Sequence, residues 1–523
     1  MIPLLLAFLQ ADAYQAGMQA YSEHRFAEAI PWFEKAGTEP QHALVARYML
    51  GNAAIQAHDA EKALRAFAQV FQVPPASAAA HALAAEMLLR AQSIQDAARE
   101  ARRALELDDR VPEAHLMLGE TSLAEGDPAR AAAGFLKEIE INPGLALAYY
   151  RLGDAYTRSG AWQEASQALE RGIWINPNYS APYILLAKAH EKLGDLRNAE
   201  GTLREALKLA PEDEAARQLL SEVHRQSNQP TLKATTKSEW IEDPAARASY
   251  LEGVAAYRRH DYVAAVKALT AAIAAMPEGG ATYLETAEMI GRSEYLAGHV
   301  AAAIPWLEKA RTAATPSQEL LFALGNCYLH ARQIPNARAA FAGIFGKPPD
   351  SGAARLFTAL MLIRLEFEED AENELKAALS QDPRLAQAHF MLGEIAIARG
   401  QPDHAIDELS REITVNPTFA MAHYRLGDAW SRQEDWAQAT PCLQRAVWLN
   451  PTYSGPYILL GKAYLKSGDL PEAERLLRRA LKIDPQNHSA YYLLGRTLIQ
   501  SGHSEEGKKL LQRSEELRKQ SGQ

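Results

Sequence analysis

Two sets of side chains carry the chemistry this sequence can do. Tyr150, Arg151, Asp154 and Arg158 form the first, and Tyr424, Arg425, Asp428 and Arg432 repeat it in the same order and spacing. Spacings of three and four place Arg151, Asp154 and Arg158 along one face of a helix. Arginine presents a planar fork that can take a carboxylate through two hydrogen bonds, and tyrosine presents a rigid aromatic surface. Such a set suits recognition of a polypeptide rather than bond making. Lys188 and Lys462 extend each set, both following the aspartate of their set by 34 residues. The same residues can also neutralise one another as an Arg–Asp–Arg ladder on a solvated face, an arrangement that contributes little.

Reactive signatures are missing from the sequence. It holds no G-x-S-x-G, no phosphate-binding G-x-x-x-x-G-K-[S/T] and no H-E-x-x-H; His190-Glu191 begins the last but lacks its second histidine. The fifteen histidines are dispersed, and the two cysteines, Cys327 and Cys442, form no C-x-x-C, so a thiolate zinc site is excluded on ligand count. The chain is read as non-catalytic, with no metal and no cofactor. A formal net charge of −10 gives no basis for nucleic-acid binding, which needs clustered Lys and Arg. No stretch approaches the ~20 apolar residues of a spanning helix, so no transmembrane span is expected. The apolar run Met1–Leu9, followed by small residues, resembles a minimal export signal. Its cleavage would place the protein in the periplasm or outside the cell rather than in the cytoplasm; the competing reading is an N-terminal cap.

What positions the two sets is a hierarchy of repeats. Tyr150-Arg-Leu-Gly-Asp-Ala155 returns as Tyr424-Arg-Leu-Gly-Asp-Ala429, a displacement of 424 − 150 = 274. The same displacement carries Ile30-Pro-Trp onto Ile304-Pro-Trp and Tyr183-Ile-Leu-Leu onto Tyr457-Ile-Leu-Leu, so the chain is a tandem duplication. Inside each copy a 34-residue period holds: Gly at 119 and 153, Ala at 131 and 165, Pro at 143 and 177. Repeats then begin at Gln10, Leu44, Ala78, Pro112, Ala146 and Ser180, and again at Ala246, Leu284, Gln318, Gly352, Ala386, Ala420, Ser454 and His488. In this register, position 8 is Gly or Ala, and position 20 is Ala in thirteen of the fourteen, Gly507 being the exception. Small side chains at both positions are read as the place where the two helices of a repeat cross. The Pro ends the second helix, lacking a backbone donor. Cys327 and Cys442 fall three repeats apart, beyond the roughly 7 Å that a disulfide spans.

A 34-residue period with L-G…A…P at these offsets resembles the tetratricopeptide repeat, a helix–turn–helix unit. The resemblance implies an all-α fold, a right-handed α-solenoid of stacked repeats in two tandem halves. Residues 10–226 make a first array of six repeats with a partial capping helix, and 227–245 a polar linker containing Trp240. Residues 246–523 make a second array of eight with a polar C-terminal cap. In this family the first helix of each repeat lines a concave groove, with its positions 5, 6, 9, 12 and 13 inward. That assigns Tyr150, Arg151, Asp154, Arg158 and Lys188, with Tyr424, Arg425, Asp428, Arg432 and Lys462, to peptide binding. The implied function is a scaffold or adaptor holding other proteins or extended peptide segments, in bacterial envelope assembly if the export signal holds. The alternative is a regulatory or targeting subunit of an enzyme on a separate chain. The family's carboxylate-clamp residues are matched in one element at most, by Asn52 and Asn326.

Overall fold

The computed structural model describes residues 12–227 and 243–520. The apolar start, most of the linker with Trp240, and the last three residues lie outside the described part. Among the described residues there are 29 helices and no strand, the all-α solenoid class expected.

Helices come in pairs at the predicted register. First helices begin at Ala78, Ala146, Ser180, Gln318, Gly352, Ala420, Ser454 and His488, on the expected residues. At Ala114 and Ala388 the start is delayed by two residues, because Glu113 and Gln387 stand before them with φ of 67° and 70°. The buried carboxylate of Glu412 holds the second of these starts, accepting from the backbone N–H groups of Gln387 (2.8 Å) and Phe390 (3.2 Å). Asp243 caps the helix Pro244–Arg258 through the Ala245 N–H, with Pro244 at its first position.

The turn between the two helices of a repeat is one conformation throughout. Position 15 has a positive φ in all fourteen repeats; seven of these residues are Gly, and the rest are His24, His58, Gln92, His260, Arg332, Glu366 and Glu434. A left-handed residue there ends one helix, and the next helix can start at once. Asp127, Asp195 and Asp469 follow as caps, each accepting the N–H three residues on.

The helix crossing is tight enough to exclude a methyl group. A Cβ on Gly51 would lie 2.6 Å from the Phe67 ring, and on Gly427 2.6 Å from Leu443 Cγ. Position 24 supplies the opposing side chain and sets what position 8 can be. Where position 24 is Phe (Phe33, Phe67, Phe135, Phe341), position 8 is Gly; Ala85, Ala187 and Ala359 face Ala101, Leu203 and Leu375. A ring cannot turn aside, whereas a leucine can change rotamer. The anomalous Gly507 has the same cause: its Cβ would stand 2.6 Å from the Gly495 carbonyl oxygen.

The chain divides into two compact units, one comprising Met1–Glu125 with Ala386–Gln523, the other Gly126–Leu385. Each unit therefore draws on both sequence copies. In the first, Phe67, Phe71, Leu83 and Leu88 of copy one share a core with Leu449 and Trp448 of copy two. The helix Glu214–Ser227 closes the first copy by placing Ala216 and Val223 against Ala187 and Leu203. Both cysteines are buried and unbridged.

The crossing rule separates two glycines. Gly325→Ala, against Phe341, is expected to lower unfolding stability by about 1–3 kcal/mol, and Gly461→Ala, against Leu477, to cost distinctly less. Urea unfolding followed by circular dichroism measures both; equal losses would contradict the ring-versus-leucine rule.

Candidate functional site

In the unit Gly126–Leu385, the helix Ala146–Ser159 carries Tyr150, Arg151, Asp154 and Arg158, and the helix Ser180–Lys192 carries Lys188. Tyr150 is 7% exposed and covers Gly172, and its hydroxyl donates to the Asn176 carbonyl, at the end of its own repeat. Burial pushes that hydroxyl well above the ordinary tyrosine range. Arg158 forks onto Asp154, with Nε 3.1 Å from Oδ1 and Nη2 3.0 Å from Oδ2. Lys188 is exposed.

The matching set in the other unit lies on the helices Ala420–Arg432 and Ser454–Ser467. Tyr424 packs edge-on to Tyr453, with ring centroids 5.3 Å apart. Arg425 forks onto Glu394 of the preceding repeat, Nε to Oε1 at 2.8 Å and Nη2 to Oε2 at 2.9 Å. Burial raises the Glu394 carboxyl, and Arg425 partly offsets this. Arg432 pairs with Asp428 at 3.1 Å. Lys462 and Lys466 both stand over the Trp436 ring, at 5.4 and 5.3 Å. Arg158, Arg425 and Arg432 thus spend their forks on carboxylates of the chain itself, whereas Lys188 is exposed and Lys462 rests on the Trp436 ring.

Other first-helix positions are taken by polypeptide of the same unit already. Tyr48, at position 5 of its repeat, stacks flat on Trp448, centroids 4.2 Å apart and planes 6° from parallel. Arg90, at position 13, donates Nη1 to the Trp448 carbonyl at 2.6 Å and Nη2 to the Leu449 carbonyl. Glu86 aims that guanidinium, its Oε1 2.6 Å from Nη2. The unit Gly126–Leu385 contains the same contact 274 residues displaced. There Phe322 stacks on Trp174 at 4.4 Å and 6°, and Arg364 donates to the carbonyls of Trp174 (2.5 Å) and Ile175 (2.6 Å). The last carbonyls of a helix have no intrahelical partner, and a cation there also meets the negative end of the helix dipole. These six residues went unmarked in the sequence reading. A signal was present: Arg90 and Arg364, and Trp174 and Trp448, are identical pairs at the 274-residue displacement.

One buried position on the same helices as Tyr150 and Tyr424 differs between the copies. Tyr149 is fully buried, donates to the Pro143 carbonyl at 3.2 Å and meets the edge of Phe345. Its counterpart His423 is 1% exposed, bonds the Pro417 carbonyl through Nε2 at 3.0 Å and meets Phe71. Nε2 therefore carries the proton of a neutral ring. Burial, with a smaller contribution from Arg445, pushes the His423 pKa down to about 4 against the pull of the Pro417 carbonyl.

Among the described residues no group of three or more His, Cys, Asp or Glu could hold a metal, and no helix is long and apolar enough to cross a membrane. The tetratricopeptide repeat family matches residues 48–112, 88–146, 148–178, 180–223, 229–279, 288–351, 362–415, 431–482 and 465–521. The chain belongs to that family. No curated protein matches it in sequence. Among solved structures it is similar to MamA, at 27% identity over 30% of this chain and 94% of MamA, with a TM-score of 0.29. It is also similar to yeast Tom70, at 16% identity over 76% and 90% of the two chains and a TM-score of 0.30. A third is Naa15/Naa10 bound to HypK-THB, at 12% identity over 97% and 93% and a TM-score of 0.32.

The His423 ring gives an acid-sensitive element with a defined sign. Its folded pKa of about 4 lies below the ordinary histidine value of 6.5, so the contribution is whole above pH 6.5 and is lost as pH falls toward 4. His423→Tyr, which installs the residue of copy one, is expected to remove about 3 kcal/mol of acid destabilisation between those limits. Denaturant unfolding of both proteins at a series of pH values measures it; parallel pH profiles would show that His423 does not titrate on unfolding.

Proposed function

We propose that the chain is a non-catalytic scaffold or adaptor that receives protein or extended peptide segments on the concave faces of its repeats. The proposed contact residues are Tyr150, Arg151, Asp154, Arg158 and Lys188, with Tyr424, Arg425, Asp428, Arg432 and Lys462. One observation carries the reading. The concave positions of the neighbouring repeats hold a polypeptide by stacking an aromatic side chain and by donating from arginine to backbone carbonyls. The exposed ammonium group of Lys188, and that of Lys462 above the Trp436 ring, give an incoming segment its charged contact. Family membership supports the class of function, because the proteins that carry these repeats bind other proteins.

The two internal arginine pairs refine which substitutions inform. Charge reversal at Arg425 would set two carboxylates against each other at a half-buried position and confuse stability with binding. A photo-crosslinking amino acid at Lys188 or Lys462, compared with one at Arg65 on a second helix, tests the groove without that cost. In extracts of the native host, the partner bands are expected at 188 and 462 and to be several-fold weaker at 65. Equal labelling at all three positions would refute the concave assignment. A single stoichiometric enzyme among the bands would favour a regulatory subunit, and several unrelated clients a scaffold.

A further inference from the structure

Each sequence copy carries both halves of the same contact. Copy one presents a receiving face, Tyr48 and Arg90, and a helix end, Trp174-Ile175; copy two presents Phe322 and Arg364, and Trp448-Leu449. In each compact unit the face of one copy holds the helix end of the other. We infer that the two copies are a self-complementary pair, an internal dimer held by these two clasps and not by the peptide that joins them.

Three features make the clasp specific. The rings lie within 6° of parallel at 4.2 and 4.4 Å, so a stack is formed and not an incidental contact. Arginine reaches two successive carbonyls at a helix end, a geometry available only to a helix terminating at that point. Polar bonds accompany the stack: a buried one in which Arg445 Nε donates to the Val70 carbonyl at 2.7 Å, and in the other unit a half-buried one in which Arg171 Nε donates to Gln318 Oε1 at 2.9 Å. Removing one partner leaves a buried polar group unsatisfied, which holds the register of the pair. The occupant that this face selects is therefore a helix C-terminus ending in an aromatic and an aliphatic residue, and the chain supplies it twice. An external segment is received elsewhere, beyond positions 5 and 13 of these repeats. The inference does not depend on what the open part of the groove binds.

The test keeps the chain whole until it is cut. Residues 231–237 are replaced by a protease recognition sequence in the full-length protein, which is cleaved to completion and passed over a size-exclusion column under native conditions. The two fragments are expected to co-elute in equal amounts at the volume of the uncut protein; separate elution would overturn the internal dimer. The same cut protein carrying Arg90→Ala and Arg364→Ala is then compared by sedimentation velocity over a dilution series. Its fragments are expected to dissociate at a concentration raised by roughly tenfold or more, and unchanged affinity would remove the clasp as the holding contact. Because the first measurement uses no clasp substitution, a variant that fails to fold leaves the proposal fully exposed to that result.

Discussion

The close crossing of two helices, which admits only Gly or Ala at position 8, is the constraint from which the rest follows. It brings each helix pair together at the small residues of positions 8 and 20, so the outer parts of the first helix face away from its partner. Those outer positions become a surface, and a period of 34 lays them in register from repeat to repeat. Position 24 supplies the side chain that meets it: a Cβ on the glycine would come within about 3 Å of the phenylalanine ring or the leucine Cγ alike, and alanine stands at position 8 only where position 24 is Ala or Leu. The left-handed turn at position 15 belongs to the same constraint. Seven non-glycine residues accept that backbone, although it is disfavoured for side chains with a Cβ, because the crossing leaves the chain no other way to return.

On the surface so made, arginine is used in two distinct ways. Arg158, Arg425 and Arg432 bind carboxylates of the same or the preceding repeat and stiffen the concave wall. Arg90 and Arg364 bind backbone carbonyls of a remote helix and join one copy to the other. The first use is local and partly exposed, with modest energy. The second satisfies carbonyls that a helix end would otherwise leave to water, beside a stacked indole, and its loss would be felt across the whole unit. The copies have kept the contact while one buried position near it differs, tyrosine bonded to the Pro143 carbonyl in one and histidine bonded to the Pro417 carbonyl in the other.

The helix pairs, their turns and the crossing residues were all legible in the sequence, because each is written within one 34-residue period and repeated many times. The i,i+4 pairing of Asp154 with Arg158 and of Asp428 with Arg432 was legible for the same reason. The clasp was not. Tyr48 and Trp448 are 400 residues apart, and a contact made once per compact unit leaves no periodic trace. Identity of Arg90 with Arg364 looks the same whether duplication or function preserves it. Tyr150 shows the remaining difficulty: its spacing gives its face, but only the fold places its hydroxyl on the Asn176 carbonyl and its ring over Gly172.

Interleaved packing also orders events during synthesis. The core that surrounds Phe67, Phe71 and Leu88 takes Leu449 as a member, yet the two parts of that unit are separated by residues 126–385. At about 5–20 residues per second, the ribosome needs on the order of tens of seconds to cross that interval. Through that time the early repeats stand stacked on one another with Tyr48 and Arg90 uncovered. The first part of this unit is therefore made well before the residues that complete its core. The emerging chain therefore has a built-in delay, during which its inner surface is available to chaperones and to neighbouring chains, and the delay is set by gene length rather than by any folding barrier.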